Sequence, residues 1–80
     1  MNATEARDLV LTALTDVAPE IDPTDLDPGA SLRDGADLDS MDFLAFVAAV
    51  SEAIGADIPE GDYAQLDGIA KASAYVAGRG

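Results

Sequence analysis

The chain has 80 residues, with four basic against 16 acidic side chains, a formal net charge of −12, and neither cysteine nor histidine. That length allows one small domain with a modest core, and without cysteine no disulfide or thiolate zinc site can staple it. The charge excludes nucleic acid and anionic membranes as partners, because both need a positive surface. It favours protein partners with basic surfaces.

Residues 3–17 are predicted to form an amphipathic helix, because Ala6, Leu9, Val10, Ala13, Leu14 and Val17 recur at three- and four-residue spacing. Asn2 and Glu5 suit its capped N-terminus, and Pro19 closes it by pushing the residue before it out of helical geometry. Residues 18–39 read as a long connection whose prolines, glycines and aspartates forbid a regular helix, with Ile21, Leu26, Leu32 and Leu38 as anchors to the core. A connection of that length in a small domain is often functional.

A second helix is expected over residues 40–55, with Ser40 as its N-cap, Asp42 in its first turn and Gly55 as its stop. Phe43, Phe46, Val47, Val50 and Ile54 form its apolar stripe, whereas Met41, Leu44 and Ala48 lie partly off it and face solvent or a partner. Pro59 then starts a short turn or third helix, "PEGDYAQL". A fourth helix follows from about Gly68, capped by Asp67. Its inward residues are Ile69, Ala72, Ser73 and Val76, and Lys71 and Arg79 sit toward its negative end. The expected fold is all-α: a small four-helix bundle, three helices longer and one short, with a long loop between the first two.

The N-terminal stretch shows no basic region followed by an apolar run, so no signal peptide is expected, and Asn2 is not the glycine that N-myristoylation requires. No apolar run approaches the roughly 20 residues that span a bilayer. A soluble, cytoplasmic protein is the expectation.

The residue types present restrict the chemistry. Without histidine or cysteine, Ser–His–Asp, Cys–His and imidazole-relay arrangements are excluded. The only lysine is Lys71, so no phosphate-binding loop with its lysine exists. The acidic loop fails as a calcium-binding loop in both registers: begun at Asp25 it places Ala30 sixth and Ala36 twelfth, and begun at Asp37 it places Met41 fifth and Asp42 sixth. No metal site is expected. Ser40, between acids at the polar-to-apolar boundary "DLDSMDF", is explained by a helix cap alone, a contribution of roughly 1 kcal/mol.

Yet "DLDSMDF" resembles the Asp-Ser-Leu attachment motif of acyl carrier proteins. "GADIPEGDYAQLDGIAKASAYV" looks like that family's third and fourth helices, and the likeness covers about residues 3–77 of a single 1–80 domain. The resemblance implies that Ser40 carries a covalent 4′-phosphopantetheine placed there by a phosphopantetheinyl transferase. Asp39 would then help orient the modified serine or the transferase. Met41, Asp42 and Leu44 would form the partner surface, and Phe43, Phe46, Val47, Val50 and Ile69 would line or border a shelter for an acyl chain.

It implies a monomeric, non-catalytic phosphoprotein that serves acyl-loading, condensing or tailoring enzymes with basic docking surfaces in fatty-acid, polyketide or related biosynthesis. Three departures stand out: Asp37 where many relatives have glycine, Met41 for the common leucine, and no acid between Asp42 and Glu52. A peptidyl carrier is one alternative. Another is an unmodified acidic adaptor that binds a basic partner through Met41, Leu44 and the loop.

Overall fold

Asn2 opens the first helix as expected: its side-chain oxygen accepts the backbone N–H of Glu5 at 2.8 Å, satisfying one of the donors that a helix start leaves without a partner. In the computed structural model, which describes residues 1–35 and 38–79, this helix (α1) runs Ala3–Val17. It buries Ala6, Val10, Ala13 and Leu14, with Leu9, Leu11 and Val17 half-buried beside them. Asp37, the position that departs from glycine, lies outside the described residues, as do Ala36 and Gly80.

The long connection is more structured than its composition suggests. Pro23–Asp25 forms a single 3-10 turn, capped by the Asp22 carboxylate, which accepts both the N–H and the hydroxyl of Thr24. Leu32–Gly35 then makes one α-helical turn (α2), where the sequence predicted no regular helix. The Ser31 hydroxyl accepts the Asp34 N–H at 3.2 Å, the pattern of a helix cap. Leu32 and Leu38 are buried as anchors, whereas Ile21 and Leu26 are half-buried.

The next helix (α3) spans Ser40–Ile54 and buries Phe43, Phe46, Val47 and Val50. Gly55 ends it in the left-handed region at φ 69°, donating to Glu52, while Ala56 N–H reaches the Ser51 carbonyl at 3.2 Å. This paired closure favours glycine because a Cβ is strained there. A 3-10 helix over Glu60–Leu66 follows Pro59 and buries Leu66. The last helix (α4) is Ile69–Arg79.

Two expectations for α4 are corrected. Asp67 does not cap it, because its carboxylate turns back toward the loop. The helix start is served instead by the Pro28 carbonyl, which accepts the Ala70 N–H at 2.9 Å. Lys71 is the third residue of α4, at the positive end rather than the negative one, so only Arg79 complements the dipole. Inside, Tyr75 is buried and Ser73 only half-buried, its hydroxyl donating to the Ile69 carbonyl at 2.6 Å.

The molecule is therefore all-α, a small bundle with no strand among the described residues. Helix α1 packs against both α3 and α4, and one apolar cluster joins the three to Leu32, Leu38 and Leu66. No helix among the described residues is long and apolar enough to cross a membrane.

Candidate functional site

The start of α3 departs from the sequence reading by one residue. Asp39, not Ser40, is the N-cap. Its backbone is extended (φ −74°, ψ 172°), and its carboxylate accepts the Asp42 N–H at 2.8 Å. Asp39 also contributes its carbonyl to Phe43 N–H at 2.9 Å, the first bond of the helix. A cap residue needs non-helical dihedrals, and Asp39 has them. Leu38 before it is buried at 4% exposure, and its N–H reaches the Leu32 carbonyl at 3.4 Å. Leu38 and Phe43 occupy the two positions of a hydrophobic staple, and both are buried.

Ser40 is thus the first helical residue and is exposed. The cap that its hydroxyl was expected to provide is supplied by the Asp39 carboxylate. Along the outer face of α3, Met41 is 78% and Leu44 49% exposed, with Ala45 and Ala48 open beside them and Asp42 half-buried. An apolar strip therefore leads directly away from Ser40.

The inner face is different. Phe46 and Val50 are fully buried, and Phe43, Val47 and Ile69 nearly so. The Phe43 and Phe46 rings lie 6.5 Å apart at a 41° tilt. These five side chains are part of the buried apolar core. Two surface grooves among the described residues are lined by other positions. One, of about 280 Å³, lies between α1 and α3; the other, of about 420 Å³, is lined by Ala64, Gln65, Lys71, Ala74 and Tyr75.

The sequence reading missed a cluster that reaches α3 at Phe43, one turn after Ser40. The Asp67 carboxylate accepts the Ser31 hydroxyl at 2.7 Å, the Arg33 N–H at 3.1 Å and the Arg33 guanidinium at 3.3 Å. The same guanidinium lies over the Phe43 ring, 4.8 Å from its centre, a cation–π contact. Partial burial pushes the Asp67 carboxyl up, but the Ser31 hydroxyl, the Arg33 N–H and the Arg33 guanidinium outweigh it and hold the group below the usual carboxylate range. Asp67 thereby fastens α2 and the loop to the start of α4, with Arg33 covering the residue one turn beyond Ser40. No local signal could reveal this, because the partners are 34 and 36 positions apart. A second fastening of a hydroxyl and a guanidinium on one carboxylate, in which Asp62 accepts the Tyr75 hydroxyl at 2.8 Å and Arg79 at 3.1 Å, ties the 3-10 helix to α4.

Compared with known families, residues 8–76 match the model of the phosphopantetheine attachment site. The chain belongs to this family. A comparison with curated proteins found no match. As a member, the protein is a carrier of acyl or peptidyl intermediates built on covalent 4′-phosphopantetheine, and the acyl-carrier resemblance of the sequence is upheld. Domains of this kind are carriers rather than catalysts, modified by a transferase and visited by partner enzymes.

Proposed function

We propose that Ser40 bears the 4′-phosphopantetheine and that the 1–80 domain works as a free-standing acyl carrier in fatty-acid, polyketide or related biosynthesis. The observation that carries this reading is the division of labour at α3: Asp39 caps the helix and leaves an exposed serine hydroxyl at its first position. In the transfer, the Ser40 oxygen bonds to the phosphorus that bears the pantetheine of coenzyme A. The pyrophosphate link breaks, adenosine 3′,5′-bisphosphate leaves, and the hydroxyl proton passes to a base of the transferase. Helix-start N–H groups and the positive end of the dipole favour the resulting phosphodiester. The arm supplies the thiol that this cysteine-free chain lacks, and with it a thioester link to the cargo.

Asp39, holding the backbone at Ser40, orients the modified serine toward the transferase. Met41, Asp42 and Leu44 present the partner surface, an apolar strip with carboxylates at its head, to basic docking faces on acyl-loading, condensing or tailoring enzymes. Phe43, Phe46, Val47, Val50 and Ile69 border the interior that a sheltered acyl chain would have to part. The chain itself catalyses nothing and works in the cytoplasm as a substrate of its partners. An acyl cargo is favoured over an aminoacyl one by the net charge of −12, which suits carriers read by strongly basic enzymes.

The test is incubation with coenzyme A and a broad-range phosphopantetheinyl transferase, followed by intact mass spectrometry. One arm's mass is expected on the wild-type chain and none on Ser40→Ala. An adduct that survives the substitution, or a wild-type chain that takes none, refutes the assignment.

A further inference from the structure

Helix α3 carries no acid between Asp42 and Glu52, and the acids that line its groove with α1 belong to α1. Asp8 and Asp16 stand on one rim of the α1/α3 groove, whose floor is Leu9 and Ala13 from α1 and Ala49 and Ala53 from α3. The two carboxylates are separated by two helical turns, about 12 Å along α1. Glu5 lies on the same flank of α1, whereas Arg7 projects on the far side, and the groove lining contains no cation.

We propose that this groove is a docking site for an amphipathic helix of a partner protein, one that seats a bulky aliphatic side chain between flanking lysines or arginines. Its volume of about 280 Å³ has room for one bulky aliphatic side chain. The alanines keep the floor low, so a leucine or methionine from outside meets Leu9 and Ala13 directly. The occupant is not a second copy of this chain, because two bodies of charge −12 repel and the rim offers no cation to receive the other's acids. A helix with cations one turn to either side of its anchor places them opposite Asp8 and Asp16. The site lies to the side of the Met41 and Leu44 strip, around α3 from it, and does not depend on modification of Ser40.

The probe is a synthetic amphipathic helix with a central leucine and a lysine four residues to each side. It is titrated into ¹⁵N-labelled full-length protein, wild type and Ser40→Ala, and followed by amide chemical shifts. The expected changes centre on Leu9, Thr12, Ala13, Ala49 and Ala53 in both proteins. Affinity should fall about tenfold in Asp8→Lys/Asp16→Lys, and also in Ala53→Phe, which fills the groove without altering charge. The control pair Asp25→Lys/Asp57→Lys makes the same change of net charge at exposed positions away from the groove and should lose much less. Three outcomes overturn the proposal: shifts centred on Met41 and Leu44, equal losses in both charge-reversed pairs, or undiminished binding of a peptide whose leucine is replaced by serine. A Ser40→Ala protein that binds the helix but takes no arm leaves the two proposals separately judged.

Discussion

Replacing Asp67 by alanine should cost this small protein a large part of its stability. The side chain, 13% exposed, accepts three hydrogen bonds, from the Ser31 hydroxyl and from the backbone and guanidinium of Arg33. The guanidinium is half exposed, at 50%, so its ion pair is held to the surface range of at most about 1 kcal/mol. Each of the other two bonds, made to a charged acceptor in a less open setting, contributes roughly 1 kcal/mol net. The sum is a loss of about 2–3 kcal/mol, against a total stability of about 4–12 kcal/mol for 80 residues. Urea denaturation followed by circular dichroism should show the midpoint fall with an unchanged slope, and the melting temperature should drop by about 10–20 °C. Asp67→Asn, which keeps one acceptor oxygen, should fall between.

The pH dependence follows from the lowered carboxyl of Asp67. A group depressed in the folded state contributes stability that is fully present above its unfolded value, about 3.9, and that is lost as pH falls through its lower folded value. The gap between wild type and Asp67→Asn should therefore be constant near neutrality and shrink below about pH 4. A loss of less than about 0.5 kcal/mol for Asp67→Ala at pH 7 would refute the reasoning, as would a gap that widens on acidification.

Other consequences are equally direct. Because Asp39 is the cap, Asp39→Ala should cost about 1 kcal/mol while Ser40→Ala costs less than about 0.5, even as it abolishes loading; denaturant midpoints of the two variants decide it. Gly68→Ala would bring a Cβ to 3.1 Å from the Ala30 carbonyl oxygen, so it should destabilise by about 1–2 kcal/mol. Gly78→Ala, in open space within α4, should be neutral or slightly stabilising in the same melts. With 16 acids on so small a body, moderate salt should raise the melting temperature, and a flat or falling profile would remove self-repulsion as a stability term.

Much of this was legible before any coordinates. The periodicity of α1, its Asn2 cap and the proline after it act within one or two turns, and the helix runs Ala3–Val17 as read. Gly55 and Pro59 punctuate the chain where expected, and the all-α bundle follows from helical spacing without any strand alternation. Ser40 was visible as a serine at the boundary of an apolar run, and the exposure of Met41 and Leu44 followed from their offset from the buried stripe. What local sequence determines is what neighbours within four or so residues can settle by sterics and hydrogen bonding.

The tertiary structure decided the rest. Whether Asp39 or Ser40 caps α3 depends on one pair of backbone dihedrals and on which side chain reaches the Asp42 N–H, and neither is fixed by the local pattern "DLDSMDF". The single turn at Leu32–Gly35 is too short to persist alone, since a helix nucleus is costly. It exists because Asp67, more than thirty positions on, accepts the Ser31 hydroxyl and the Arg33 N–H. Asp67 itself read as a local cap, but its carboxylate accepts from Ser31 and Arg33 in the loop, while the Pro28 carbonyl accepts the Ala70 N–H at the start of α4. The alignment of Asp8 and Asp16 with the alanines of α3 likewise belongs to packing alone, because no pattern within either helix specifies which face of the other it will meet.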